Sequence, residues 1–261
     1  MSASDQGLFG PTSISWRIDR EVLTLAGGSC ALLMQLAHPA IAAGVSDHSD
    51  FTADPFARLR RTLQATYAVV FGSTRRADRA IERMNAIHAA VRGIVPETGE
   101  PYRALDPLLL LWVHATLVDT ALRVYDRFVA PLTPAEAQAY HAEARVIALR
   151  LGVPEEAMPA TLVELRHEMD RLIRSSEVAV TPTARALAAS VLYPTRFPPR
   201  LVWDLGHLIS FSVLPREIRR GYEIGWSSAR ERGVARLAAA SRRLLPFVPG
   251  PLRDVPAARS A

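Results

Sequence analysis

Apolar positions recur at steps of three and four along almost the whole chain, the period of one face of an α-helix. Residues 19–37 form a mostly apolar helical stretch that ends at His38-Pro39. Asp54-Pro55 reads as an N-cap with proline in the first turn, opening a helix to about Phe71 that stops at Gly72. Residues 77–92 form the next helix, closed by Gly93, and a turn-rich stretch runs from Pro96 to Pro101. Asp106-Pro107 opens a strongly apolar helix to about Phe128. Thr133-Pro134-Ala135-Glu136 carries the reciprocal capping pattern for a helix to about Leu151, ended by Gly152. Thr161 caps 162–174, Thr181-Pro182 starts 182–192, Pro199 starts a helix to about Leu214, and Pro215 one to about Ala240. No alternating pattern of useful length predicts a strand, and no internal repeat is present. The expectation is an all-α fold of about nine helices in one domain over 1–245. The segment 246–261, short of large side chains, reads as a loose tail.

Composition narrows the chemistry. Hydrophobic residues make up 49% of the 261, enough for a core, and charged residues 22%, which argues against disorder. All 31 basic residues are Arg, against 26 acids, for a net charge of +5. Without Lys there is no Walker phosphate loop, Schiff base or lysine general base, and Gly27-Gly28 lacks the spacing of a nucleotide loop. Cys30 is the one cysteine, set among Ala31, Leu32 and Leu33, and reads as an inert buried thiol. It allows no internal disulfide, Cys-rich zinc module or iron–sulfur cluster within the chain, and suits a reducing compartment. Residues 1–20 lack the apolar core of a signal peptide, and the apolar run Leu108 to Val118 is shorter than the roughly 18 residues of a membrane span. A cytoplasmic protein without an integral span is expected. Arg pairs such as Arg60-Arg61 and Arg219-Arg220 come without a nucleic-acid motif, so no nucleic-acid partner is expected. A basic surface facing acidic lipid or acidic partners remains, with room for peripheral membrane association.

The seven histidines are 38, 48, 88, 114, 141, 167 and 207. Ile81, Met84, His88 and Val91 lie on one apolar stripe, which turns His88 inward. A core histidine satisfied by a carbonyl is the plainer reading of that position, an iron ligand the sharper one. His114, in an all-round apolar helix, poses the same choice, whereas His141 beside Glu143 and Arg145 reads as a solvated surface residue. Glu164-x-x-His167 and Asp204-x-x-His207 resemble half of a carboxylate-bridged di-iron site, short of two further glutamates. Arg58, Arg61 and Thr62 share a helix face beside Leu59, Leu63 and Tyr67; they suit a buried carboxylate pair or, more plainly, form a solvated basic face.

Six strings in order change the weighting: Leu36-Ala37-His38-Pro39 with Gly44 to Ser49; Asp54-Pro55 leading to Arg58-x-x-x-Thr62; Val70-Phe71-Gly72; Ile87-His88-Ala89-Ala90-Val91-Arg92-Gly93; Trp112-Val113-His114-Ala115-Thr116; and Leu214 to Trp226. Together they resemble the bacterial family related to the MpaB oxygenase of mycophenolic acid biosynthesis, itself similar to the rubber oxygenases called latex-clearing proteins. The resemblance runs from about residue 15 to 230. It implies an all-α fold holding a non-covalent haem b, with His88 as proximal iron ligand and Arg58 and Thr62 near the haem. Where rubber oxygenases carry a distal lysine, this chain has Arg61, which cannot readily ligate iron. The sixth position is then open, water-filled, or held by His38, His48 or His114.

The reading that follows is a haem-dependent oxygenase in which dioxygen activated at the iron attacks a C=C bond of a small apolar, isoprenoid-like substrate. Arg58 pairs with a propionate or steers dioxygen, Thr62 donates a hydrogen bond, and helix 108–118 walls the pocket with His114 as its polar group. The competing readings are a non-catalytic haem protein for sensing or electron transfer, a di-iron enzyme at Glu164, His167, Asp204 and His207, and a helical protein that has lost its cofactor. The oligomeric state is left open.

Overall fold

The computed structural model describes residues 5–49, 55–193 and 200–259, with the side chains of 55–59, 191, 200–202 and 205 outside that description. Among the described residues run α1 (Ile14–Asp19), α2 (Gly28–Leu36), α3 (Pro39–His48), α4 (Pro55–Val70) and α5 (Thr74–Ala90). A hairpin of β1 (Arg92–Ile94) and β2 (Pro101–Arg103) follows. Then come α6 (Pro107–Val124), α7 (Pro134–Leu151), α8 (Leu162–Arg174), α9 (Pro182–Leu192) and α10 (Arg200–Val213). Short α11 (Arg216–Gly221) precedes α12 (Ser228–Leu244), and α13 (Gly250–Arg253) and α14 (Pro256–Arg259) close the series. The fold is all-α.

Helix α6 is the axis. Asp106 caps it, accepting from the Leu108 N–H at 2.8 Å, and Pro107 occupies the first turn, where no helical N–H bond is lost. Its apolar side chains point to every side, so it is stable only when surrounded. α2, α7, α8, α10 and a 3-10 turn at Val22–Gly27 pack around it, burying Trp112, Val118 and Leu122. Trp112 Nε1 donates to the Met34 carbonyl at 3.1 Å, and Gln35 Nε2 to Thr116 Oγ1 at 3.2 Å, fixing α2 on α6. Pro107–Val129 is long and apolar enough to cross a membrane, yet 67% of its apolar window is buried in the protein, as befits a core helix.

Local capping sets most boundaries as expected. Thr133 with Glu136, and Thr161 with Glu164, form complete capping boxes, and Gly152 closes α7 at φ 106°. The differences are tertiary in origin. The stretch 19–37 is broken, because the 3-10 turn brings Gly27 against α6; a Cβ there would lie 2.7 Å from Thr120 Cγ2 and 2.9 Å from Val124 Cγ2. α3 is an additional helix whose small residues mask its periodicity. The hairpin was not expected, since three-residue strands are too short to show alternation. α6 gives way to a π-helical turn at Tyr125–Val129. The helix expected from Pro215 to Ala240 is two, parted where Glu223 adopts φ 57°.

The tail is also a correction. Arg20 forks onto Asp254 with two 2.9 Å bonds, Arg253 Nε donates to Glu21 at 2.8 and 2.9 Å, and the Val255 N–H donates to the Arg20 carbonyl at 2.7 Å. Val255 is buried with Trp16, Val70 and Phe71. Val255, with Ala257 and Ala258 packed beside it, and two ion pairs fasten a segment whose composition suggested looseness.

Candidate functional site

The candidate haem-site residues stand on α3 to α6, with His38 and His48 at the ends of α3. α4 carries the Arg58-x-x-x-Thr62 element and packs along α5. The Arg58 side chain lies outside the described residues, and Arg61 and Thr62 are exposed.

His88 stands near the end of α5, which Ser73 caps. The stripe predicted for this helix is present but shallow: Ile81 is buried, while Met84, His88 and Val91 are half-buried. The Nδ1 of His88 is buried without a hydrogen-bond partner. Burial lowers the pKa of the ring, which keeps it neutral at pH 7. Three residues before it, Asn85 Nδ2 donates to the Arg150 carbonyl at 3.1 Å, and Arg150 pairs with Asp78, so α5 is fastened to α7.

His114 lies at the middle of α6, 8% exposed, with Nε2 buried and unpartnered. Burial first, and the neighbouring His141 second, push its pKa down to about 4, so it is a neutral imidazole. The bonds of Trp112 and Thr116 on either side fix the rotation of the helix that presents it. His141 corrects the sequence reading: it is fully buried on α7. Its Nε2 donates to the Pro159 carbonyl at 3.0 Å, which leaves Nδ1 as a buried acceptor with no partner. Arg145, one turn on, buries an unpartnered Nε. Sequence reasoning missed this pair because Glu143 and Arg145 make the helix look solvated. The signal was available: Ala137, Tyr140, Ala144 and Ala148 recur at steps of three and four, and His141 adjoins that stripe.

His38 and His48 fasten α3. The Ala40 N–H donates to His38 Nδ1 at 3.3 Å, so Nε2 carries the proton and the ring has no free lone pair in that state. His48 is exposed, with Nε2 donating to the Arg92 carbonyl at 3.1 Å. As iron ligands, His38 would have to give up its cap and His48 would have to leave the surface.

The di-iron reading is overturned by the positions of its donors. Glu164 Oε2 accepts the N–H groups of Ala160 and Thr161 at 2.9 and 3.0 Å. His167 is exposed. Asp204 accepts from the Tyr193 hydroxyl at 2.7 Å, and His207 Nε2 donates to the Leu192 carbonyl at 2.6 Å. Among the described residues no three His, Cys, Asp or Glu side chains converge as a metal-binding group. Burial pushes the Cys30 thiol up to about 12, which makes it unreactive. A cavity of about 500 Å³ between Arg123, Arg127, Leu214 and Arg242 is lined by none of the histidines.

The donor set fits a haem better than a metal ion bound by side chains alone. A haem asks the protein for one neutral imidazole with a free nitrogen; His114 offers one buried in α6, and the half-buried His88 offers one on α5.

Residues 16–243 match the family described as ER-bound oxygenase mpaB/B′/rubber oxygenase, catalytic domain. The uncharacterised proteins Mb2261 of Mycobacterium bovis and Rv2237 of Mycobacterium tuberculosis are each 30% identical to the chain over 227 residues, 82% of this chain and 87% of theirs. No solved structure matches.

Proposed function

Because the chain belongs to the MpaB/rubber oxygenase catalytic-domain family, we propose that it is a haem b-dependent oxygenase acting on a small apolar substrate of isoprenoid class. Haem b supplies, when bound, the redox chemistry by which dioxygen attacks a C=C bond. The chain's part is to hold, orient and exclude water. His88 is the proposed iron ligand. Its neutral ring, with a buried nitrogen that no protein group satisfies, is the observation that carries the reading. Arg58 and Arg61 are the proposed partners of carboxylate groups, since a guanidinium binds them bidentately, and Thr62 is a hydrogen-bond donor beside them. The apolar side of α6 keeps water out, and His114 offers one polar atom within it. A pKa of about 4 means that His114 can give or accept a hydrogen bond without bringing a charge into the pocket. The buried, unreactive Cys30 suits a cytoplasmic setting.

The test is an absorption spectrum with pyridine haemochrome quantitation on protein expressed with haem supply, beside His88→Ala and His114→Ala. One haem per chain, lost with His88→Ala alone, supports the assignment and directs attention to isoprenoid alkenes as substrates. Loss only with His114→Ala moves the ligand to α6. A folded wild type without a Soret band overturns the reading.

One observation favours a second reading, a haem protein with two histidine ligands for sensing or electron transfer: His114 Nε2 is as unpartnered as His88 Nδ1. That reading requires a six-coordinate low-spin spectrum that both variants alter, and no turnover of alkenes.

A further inference from the structure

We propose that the face built by α12, the segment 244–252 and the turn at Val22–Gly27 docks on the phosphate surface of an anionic lipid bilayer. Phe247 is 82% exposed, Leu252 72% and Leu244 61%, three large apolar side chains within nine residues of chain. Val22 and Leu25 are exposed as well. They are three apart in a 3-10 turn, where such residues eclipse, so they share a side. α13 packs on that turn, and Arg253 binds Glu21 beside Val22, which brings Leu252 into the same neighbourhood.

α12 supplies the charge. Val234 and Ala238 turn to the core. Arg232, Arg236 and Arg243 follow at steps of four and seven and stand together on the opposite side. Leu237 and Leu244, seven apart, flank that stripe, and both are exposed. Glu231 is the one acid of the helix, and Arg127 and Trp226 already bind it. Among the described residues, Arg232, Arg236, Arg242 and Arg243 have no carboxylate within ion-pair distance. Exposed guanidinium groups beside projecting apolar side chains are the composition of a segment that lies in a membrane interface: the arginines meet phosphates while the apolar groups enter between headgroups.

Charge complementarity selects the lipid over other partners. A second copy would bring the same arginines against themselves across a two-fold contact. A nucleic acid would meet the arginines but offer no apolar recess to Phe247 and Leu252. The inference stands apart from the haem assignment, because lipid binding is read without cofactor or substrate.

The experiment is co-sedimentation of the full chain with vesicles of phosphatidylcholine alone and with roughly one-third phosphatidylglycerol. Binding is expected to the anionic vesicles only and to weaken with added salt. Arg236→Glu with Arg243→Glu, and separately Phe247→Asp with Leu252→Asp, should each lower it by roughly tenfold. All four sites are exposed, so both variants should keep the wild-type circular dichroism and melting temperature. Absence of binding to anionic vesicles, equal binding to both vesicle types, or wild-type binding by both variants overturns the proposal. A dimer that Phe247→Asp with Leu252→Asp dissolves, in a protein that ignores vesicles, overturns it in favour of a second copy.

Discussion

Two desolvated groups of opposite chemistry, the buried His114 and the half-buried Asp19, set how the protein meets acid. His114 is held neutral, its pKa pushed down to about 4 by burial and by His141. The unfolded chain therefore takes up a proton near pH 6.5 that the folded chain refuses until about pH 4. The stability His114 confers is complete above the upper value and is lost as pH falls through this window. Asp19 runs the other way. Its carboxyl is desolvated beside Tyr140, whose hydroxyl donates to it at 2.9 Å, and its pKa is pushed up to about 7. It is protonated in the folded state and contributes below its unfolded value, a contribution lost as pH rises through about 7. Over most of the same window the two oppose each other. His114→Phe should flatten the acid loss of stability and Asp19→Asn should steepen it, each by at most about 1.4 kcal/mol per pH unit, in urea midpoints measured from pH 4 to 7. At this scale the sequence was partly legible. The inward turn of His88 follows from the spacing of Ile81, Met84 and Val91, which is a local property. The burial of His141 could have been read from its place on the stripe of Ala137, Tyr140, Ala144 and Ala148, whereas its partner, the Pro159 carbonyl, lies beyond α7 and no spacing within the helix contains it.

Helix boundaries were legible wherever a cap is made by neighbours in sequence. Thr133 with Glu136, Thr161 with Glu164, Asp106 and Gly152 all stop or start a helix through bonds within a few residues. Boundaries imposed from outside were not. The break at Val22–Gly27 exists because α6 passes too close for a side chain at Gly27. Gly27→Ala should therefore cost about 1–3 kcal/mol, against a gain for alanine in an ordinary helix. Chemical denaturation of this variant beside Gly28→Ala, where a Cβ meets nothing within 4 Å, separates the two effects. The Arg58-x-x-x-Thr62 element shows the same limit at the site: its spacing places the residues on one face, while the exposure of Arg61 and Thr62 depends on what the rest of the chain leaves uncovered.

At the scale of the whole molecule, the fold is α6 and the layer that surrounds it, and its all-α character could be read from periodicity alone. The docking of the tail could not, because its partners, Arg20 and Glu21, are more than two hundred positions away. Glu21 is buried to 2% exposure and relies on Arg253 for its countercharge. Arg253→Ala should cost about 3 kcal/mol, since it strands a buried carboxylate, and Glu21→Gln in the same chain should restore part of that loss in thermal melts. The separation of 232 residues also has a meaning in time. On the ribosome the Glu21 carboxylate emerges 232 residues ahead of its partner, so α1 and the turn after it stay unclasped while the helices from α2 to α12 are made. Synthesis of Arg253 is then the step that closes this clasp, and a chain released before it leaves Glu21 without its countercharge.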